Sequence, residues 1–456
     1  MSGPRVGRLE GLLLAAILLL AATLRLVQPG LSEFKHDEAS IVLLASEIVD
    51  GQLLSLTGTP SSRGLPNPPL ANYVYALPLA VWRDPRSAIL FTGLLNVAAV
   101  WLGWRVARRY GGRGAGLTTA LLLATSPWVV FFSRKVWQPG LFPFFALLWF
   151  DAGLRALVDG RRWALAAHVL LLAVLVLLQY GALVLVPVTL AMLIICWRRV
   201  DVGVLALGAA ASLVLAAPFL GYLVSEWSTV GGALQQHAGA AGRLDGAVAQ
   251  VWWWLTTGGN IHSLAGSAAP SFLRTIPQHA PVEWVLGGLT AAALPFALWR
   301  WGHYRQAPQA RAAGLAALCA SVPLGLYAWH RMELQLHYLV AAVPMAGVLC
   351  LVWSLRALVG RRSRWWRALA WGSLTLLGLA QAATTVALLV FLGRQATPGG
   401  YGVPVAYPLQ ASRDAVGIGE PVVVASVGDS AAYAEGPAVF EAILGRSPHR
   451  LVDGTR

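Results

Sequence analysis

Charged residues are scarce in this chain of 456 amino acids, and lysine is almost missing. Only 12% of the residues are charged, 57% are hydrophobic, and the mean hydropathy is +0.63. Of the 34 basic residues only two are lysines, Lys35 and Lys135. A composition this apolar excludes an ordinary soluble domain and indicates a membrane protein.

Cysteines and nucleotide-binding motifs are equally scarce. The three cysteines, Cys196, Cys319 and Cys350, lie inside or at the ends of apolar runs, where cysteine behaves as a small hydrophobic residue. This placement argues against a disulfide framework and against a cysteine-ligated metal. The chain has no Walker loop and no dinucleotide fingerprint, so nothing in it indicates binding of ATP or NAD.

Long apolar runs, by contrast, are abundant. Each is close to the roughly 20 residues that an α-helix needs to cross a bilayer, which predicts an all-α polytopic membrane protein of about eleven spans. Their approximate limits are 9–27, 88–107, 115–132, 139–158, 164–179, 180–197, 202–224, 283–300, 312–329, 337–355 and 369–392.

The formal charge of +14 reflects a biased distribution of arginine, which indicates membrane topology rather than nucleic-acid binding. With a cytoplasmic N-terminus, short-loop arginines crowd the inner face. Three long segments then lie outside: 28–87, 225–282 and 393–456. We treat 1–392 as the membrane domain and 393–456 as a small extracytoplasmic α/β segment. This topology suits the cell membrane of a prokaryote, with the C-terminus outside.

Three of the 20 acidic residues fall within six positions of the first outer segment: Glu33, Asp37 and Glu38. Carboxylates close to hydrocarbon are costly, so the cluster indicates a site. One interpretation is structural, with Asp37 capping a helix over 38–49. The other is chemical: desolvation raises the pKa of Asp37, which acts as a general base or coordinates a divalent cation. The sequence leaves both interpretations open.

Further polar residues follow other predicted spans on the same outer face. Arg134 and Lys135 stand side by side where short-loop cations are otherwise rare, which suits either a phosphate or bulk anionic lipid. Each motif alone is a weak signal. Together they place carboxylates and cations at the ends of different helices on one membrane face, as in a site built on a helical scaffold. The remaining candidates are His36, Asn67, Tyr73, Arg331 and His337.

The order of these motifs resembles that of the GT-C membrane glycosyltransferases, in particular the protein O-mannosyltransferase and aminoarabinose-transferase superfamily. The similarity covers residues 8–200 well and 325–355 loosely. The matching stretches are Asp37-Glu38, Pro68-Pro69-Leu70 with Tyr73, Ser133-Arg134 with Phe144-Phe145, and His337-Tyr338-Leu339 with Pro344.

The resemblance implies an inverting transfer of a sugar from a polyprenyl-phosphate donor to a protein, lipid or glycan acceptor on the outer face. Asp37 would be the base, or would help to bind the acceptor and any metal, and Glu38 would support it. No nucleotide is implied, and no cofactor beyond an optional divalent cation. The donor phosphate would be neutralised by Arg134, Lys135, Arg331 and His337, and the acceptor side would include His36, Asn67 and Tyr73.

Two positions depart from the family pattern. Relatives often carry an aspartate a few residues after Ser-Arg, where this chain has Pro139 between Gln138 and Gly140. This weakens a metal-dependent scheme. His337 stands where the family has an arginine, which weakens a phosphate contact at that position.

A transporter or flippase of lipid-linked saccharides is the main alternative function. Transporters place ionisable residues at mid-membrane and often contain broken helices. Here Asp151 is the acidic residue that lies well inside a predicted span rather than at its end, and the sequence shows no evident partner for it. The acidic residues cluster outside instead, which favours chemistry at the membrane surface.

Overall fold

The computed structural model describes residues 6–60, 65–238, 242–276, 280–331, 333–419, 421–426, 435–445 and 447–453. Within these ranges the protein is almost entirely helical. The helices are α1 Arg8–Leu26, α2 His36–Val49, α3 Leu70–Val81, α4 Pro85–Thr125, α5 Pro127–Phe132, α6 Gln138–Leu157, α7 Ala164–Leu178, α8 Leu185–Ile195, α9 Val202–Ser225, α10 Trp227–Ala238, α11 Ala247–Thr257, α12 Ala269–Thr275, α13 Ala280–His303, α14 Pro308–Ala328, α15 Val343–Val359, α16 Arg364–Leu392, α17 Ala406–Gly417 and α18 Glu435–Leu444.

Among the described residues, seven helices are long and apolar enough to cross a bilayer: α1, α4, α6, α9, α13, α14 and α16. Shorter apolar helices include α3, α7 and α15. The prediction of an all-helical membrane protein is confirmed, whereas the count of eleven spans and the loop topology stay predictions. The apolar helix α3 lies in the segment that the sequence assigned to the first outer loop.

Two predicted spans form one kinked element, α4. The chain reverses at Gly112, whose φ of 78° lies in the left-handed region that glycine adopts without strain and other residues rarely adopt. The two arms then pack closely. A Cβ on Gly103 would lie 2.6 Å from Leu123 Cδ1, and one on Gly116 would lie 3.1 Å from the carbonyl oxygen of Trp104. Small residues thus let the backbones approach, as is usual between membrane helices.

Within the described residues, the strands lie in the segment 225–282, directly after α14, and in the C-terminal segment. The short strands β1 Arg243–Leu244 and β2 Trp329–His330 pair antiparallel. In the C-terminal segment, β3 Val422–Ser426 and β4 His449–Asp453 pair in parallel, with α18 between them in the chain. The C-terminal segment is not detached, because α18 packs against α2. This contact brings the tail beside the acidic residues of the first outer segment.

Candidate active site

Both lysines of the chain lie in one cluster with two glutamates. Lys135 Nζ is 2.6 Å from Glu33 Oε2 and 2.8 Å from Glu38 Oε1, and Lys35 Nζ is 2.5 Å from Glu33 Oε1. We call these four residues the lysine–glutamate cluster. All are buried except Lys35, which is half-buried. Burial alone would lower the pKa of Lys135, but Glu38 and Glu33 outweigh it and hold that pKa above its ordinary value. Lys135 therefore stays charged at neutral pH.

Arg134 is fully buried and binds the backbone. Its guanidinium donates hydrogen bonds to the carbonyl oxygens of Leu24 at 3.0 Å, Val27 at 3.1 Å and Gln28 at 2.9 Å. Carbonyls at a helix end lack partners within the helix, and here they belong to the end of α1. Arg134 thus fastens the turn that carries Lys135 onto α1. This arrangement does not support the predicted direct contact between Arg134 and a donor phosphate.

Helix α2 begins at His36, and its cap is Lys35 rather than Asp37. The backbone N–H of Lys35 donates to Glu38 Oε2 at 2.9 Å, which closes the first turn. The interpretation that Asp37 caps a helix over 38–49 is therefore wrong. The capping role falls to Glu38, which also binds a lysine of the cluster.

Asp37 is exposed at the rim of the lysine–glutamate cluster. Within the described part of the chain its carboxylate makes no hydrogen bond and no ion pair. Desolvation by the protein on one side raises its pKa, the charge of Glu38 raises it further, and Lys135 opposes both effects. An accessible, unpaired carboxylate with a raised pKa has the properties of a general base.

Trp137 connects the cluster to the predicted histidine. Lys135 Nζ lies 4.6 Å from the Trp137 ring centre, and the ring of His337 lies 4.8 Å from it. Burial, and secondarily the charge of Lys135, lowers the pKa of His337 to about 4. His337 is therefore neutral at pH 7 and can offer a hydrogen bond but no charge to a phosphate. His36, on the other side, has its Nε2 3.5 Å from Ser40 Oγ, while its buried Nδ1 has no partner.

Asn67 and Tyr73 hold the loop before α3 in place. Asn67 Nδ2 donates to the carbonyl oxygen of Thr59 at 2.9 Å, and Tyr73 Oη donates to that of Ser55 at 2.9 Å. The backbone N–H of Gly58 donates to the carbonyl oxygen of Asn67 at 2.6 Å. Both predicted residues therefore shape the loop before α3 by hydrogen bonds to its backbone, and their predicted role toward an acceptor stays a prediction.

Three amide side chains near this loop carry oxygens that sequence reasoning did not single out. The buried oxygens Asn72 Oδ1, Gln138 Oε1 and Gln179 Oε1 have no hydrogen-bond partner among the residues that the structure describes. Such atoms are costly to leave unpaired, and hydroxyl groups are suitable donors to them. Asn72 lies inside the noted Pro-Pro-Leu stretch and Gln138 directly follows Trp137, so their sequence positions carried a signal.

The C-terminal segment completes the cluster, which the sequence did not predict. Tyr401 Oη accepts a hydrogen bond from the backbone N–H of Glu33 at 3.1 Å. Lys35 Nζ donates to the carbonyl oxygen of Gly400 at 3.0 Å. Tyr401 is fully buried, and burial raises the pKa of its hydroxyl. The tail thus holds both the acidic and the basic side of the cluster.

Arg331 lies beside the strand pair of β1 and β2, and its guanidinium stands 4.9 Å from the ring centre of Trp329. The contacts of Lys135 are with Glu33, Glu38 and aromatic rings instead. Among the described residues, no three His, Cys, Asp or Glu side chains form a group suited to a metal ion. Between Glu33 and Glu38 the cation in place is the ammonium group of Lys135.

Comparison with known proteins identifies the scaffold. Residues 66–222 match the family described as dolichyl-phosphate-mannose-protein mannosyltransferase. The predicted resemblance is confirmed. With it, the prediction of a membrane glycosyltransferase of the GT-C type is confirmed. No curated protein matches the chain.

Solved structures agree in fold with this glycosyltransferase. The crystal structure of ArnT from Cupriavidus metallidurans bound to undecaprenyl phosphate has a TM-score of 0.61 at 15% identity. That alignment covers 98% of this chain and 86% of ArnT. The apo structure of the same protein has a TM-score of 0.57 at 15% identity, covering 97% and 85%.

Asp151, the acidic residue well inside a predicted span, has three arginine partners, which corrects the expectation from the sequence. Its carboxylate lies 3.1 Å from Arg105 Nη2, 2.7 Å from Arg109 Nη2 and 2.8 Å from Arg155 Nε. A carboxylate enclosed by guanidinium groups is a structural ion-pair network. It gives no support to a transport pathway through α6.

Proposed function

We propose that this glycosyltransferase moves a sugar from a polyprenyl-phosphate donor to a hydroxyl group of an acceptor, with inversion, at the membrane face that carries Asp37. The observation that carries the proposal is the accessible, unpaired carboxylate of Asp37 beside two buried glutamates and two lysines. The shared fold with a protein crystallised with undecaprenyl phosphate supports the choice of donor.

In the proposed reaction, the acceptor oxygen attacks the anomeric carbon of the sugar while Asp37 takes the hydroxyl proton. The bond between that carbon and the phosphate oxygen breaks, and polyprenyl phosphate leaves with an additional negative charge. Positive groups placed where this charge develops lower the barrier. Lys135 is such a group, held in position by Glu33 and Glu38.

In this proposal the donor contacts differ from those that the sequence suggested. Lys35 joins Lys135, because its half-buried ammonium group reaches the rim of the cluster. His337 contributes a neutral hydrogen bond, and Arg331 acts from the loop beside it. Arg134 acts indirectly, by fixing the position of Lys135.

The unpaired amide oxygens described above are hydrogen-bond acceptors, and the hydroxyl groups of a sugar are suitable donors to them. We assign the binding of sugar hydroxyls to Asn72, Gln138 and Gln179, whose buried side-chain oxygens can each accept a hydrogen bond. A sugar offers several hydroxyl groups at once, whereas a metal ion would require carboxylates or histidines in a tight group. These contacts would orient the anomeric carbon toward Asp37.

The proposal is tested with Asp37→Asn, matched by Glu47→Gln, which removes an exposed carboxylate from the same helix. Purified protein is incubated with radiolabelled polyprenyl-phosphate sugars and a membrane extract, and the labelled acceptor is identified. We expect Asp37→Asn to lower kcat by about 100-fold or more, the usual loss of a general base, with little effect on the donor KM. Glu47→Gln should behave as wild type. An Asp37→Asn enzyme with normal kcat would overturn the assignment of the base.

A further inference from the structure

A polar cavity lies at the end of the helix bundle opposite the lysine–glutamate cluster. Its volume is about 620 Å³, and it opens between the end of α8 and the loop that joins α13 to α14. Helix α6 connects the two sites. It begins at Gln138, three residues after Lys135, and ends at Leu157, whose carbonyl oxygen is 3.5 Å from Arg311 Nη1. A helix of 20 residues spans about 30 Å, so this cavity is remote from the proposed transfer site.

Four arginines and no acidic residue line the cavity. They are Arg198, Arg199, Arg305 and Arg311. In the part of the chain that the structure describes, none of the four has an ion pair with a carboxylate. Asp201, close to Arg199 in the sequence, accepts a hydrogen bond from the backbone of α9 and faces Arg162 instead.

Other arginines at this end of the bundle form ion pairs with carboxylates, unlike the four arginines of the cavity. Arg108 lies 2.6 Å from Glu10 Oε1, and Asp151 is shared by three further arginines. The cavity arginines keep their positive charge uncompensated. One of them is also held in place, because Arg311 Nη2 donates to the carbonyl oxygen of Arg305 at 2.9 Å. An anion would supply the missing charge.

The apolar part of the lining indicates what carries that anion. Trp197, Trp301, Ile195 and Leu298 share the cavity with the arginines. Trp197 is exposed, and indole rings at this level are typical of the boundary between headgroups and acyl chains. The cavity volume lies in the range of small-molecule sites. Basic pockets between membrane helices are suited to lipid phosphates.

We propose that this cavity binds the phosphate headgroup of an anionic phospholipid, with the arginines at the phosphate and Trp197 and Leu298 at the start of the acyl chains. The lipid would fasten the end of α8 to the α13–α14 loop. The inference does not depend on the proposed transfer reaction. It assigns a ligand to a site at the opposite end of α6.

The test is native mass spectrometry of the full chain in detergent with equal amounts of phosphatidylglycerol and phosphatidylcholine. We expect the wild type to retain phosphatidylglycerol in preference. A triple variant, Arg198→Gln, Arg199→Gln and Arg305→Gln, removes exposed charges and spares Arg311, which contacts the backbone. At about fivefold per surface arginine, its retention should weaken on the order of 100-fold.

The matched control is Arg361→Gln, Arg362→Gln and Arg364→Gln, which removes the same charge from exposed positions outside the cavity. It should retain phosphatidylglycerol within about threefold of wild type, since it leaves the site intact. If both variants lost phosphatidylglycerol equally, retention would depend only on the total positive charge of the protein, and the proposal would be overturned. Displacement of the lipid by millimolar inorganic phosphate would also overturn it, because the site would then take a free anion.

Discussion

Replacing Lys135 by methionine should destabilise the protein, because it removes a cation from between two buried carboxylates. Glu33 is 4% exposed and Glu38 is 1% exposed, so neither recovers its hydration when the ammonium group is lost. Removing one partner of a buried ion pair costs about 3–5 kcal/mol. Glu33 keeps its contact with Lys35, so the uncompensated charge is mainly that of Glu38. We therefore expect a loss at the lower end, about 3 kcal/mol.

The double variant Lys135→Met, Glu38→Gln separates this effect from lost packing. It removes the charge of Glu38, and the carboxylate that still lies beside residue 135, that of Glu33, remains paired with Lys35. Most of the lost stability should return, whereas transfer activity should stay low because the cation at the proposed leaving phosphate is missing. Unfolding in detergent, followed by fluorescence and compared among wild type, single and double variants, gives the difference. A single variant within about 1 kcal/mol of wild type would refute the buried ion pair, and a double variant as unstable as the single would refute the electrostatic cause.

Three further predictions follow from the same contacts. In the wild type, kcat should fall as the pH drops through the raised pKa of Asp37, because only the ionised carboxylate accepts a proton. The variant Glu38→Gln removes a repelling charge and should lower this pKa, so the fall in kcat should begin at a lower pH. An unchanged pH dependence of kcat would contradict the assignment of Asp37 as the base. Arg134→Lys keeps the charge but not the planar donor, so unfolding experiments should show a loss of about 1–3 kcal/mol, and wild-type stability would speak against the carbonyl contacts. A cysteine at Gly417 should react with an impermeant thiol reagent in intact cells and one at the exposed Arg113 only after permeabilisation, with little background from the three buried native cysteines; the reverse pattern would contradict the predicted orientation.

Helix positions could be predicted from the sequence where apolar runs end at turn residues or charges. The run at 9–27 became Arg8–Leu26, 139–158 became Gln138–Leu157, and 202–224 became Val202–Ser225. In each case length and hydropathy determine the element without tertiary information. Helix α3 lies in the segment 28–87, which was assigned to the outer face without a helix at this position, because the two successive prolines Pro68-Pro69 favour an extended chain. The prolines instead precede the helix start, where a missing N–H is harmless.

The candidate site could be predicted only in part, because it is assembled by contacts between distant segments. The sequence indicated Asp37, Glu38 and Lys135 as polar residues of one membrane face. It could not show that Lys135 fills the gap between Glu33 and Glu38, since a charge pattern does not determine which ion pairs form. Nor could it distinguish Arg134, whose donors bind carbonyls, from its neighbour. Both residues looked like free cations beside each other in the chain.

The C-terminal contribution lay outside any local pattern. Gly400 and Tyr401 reach the cluster through one carbonyl and one hydroxyl, and neither residue type indicates such a role. The amide oxygens of Asn72, Gln138 and Gln179 raise a similar difficulty. Their importance depends on burial without a partner, which only the packed structure reveals.

Because lysine is nearly absent, chemical labelling of primary amines can monitor the candidate site selectively. A reagent that acylates primary amines ignores the many guanidinium groups and, apart from any free N-terminus, finds only Lys35 and Lys135. The first is half-buried at the rim of the candidate site, and the second lies deeper, with its side chain 9% exposed. Peptide mapping after brief acylation therefore reports on this one place in the intact protein. A seated donor should shield Lys35, and loosening of the fold there should expose Lys135.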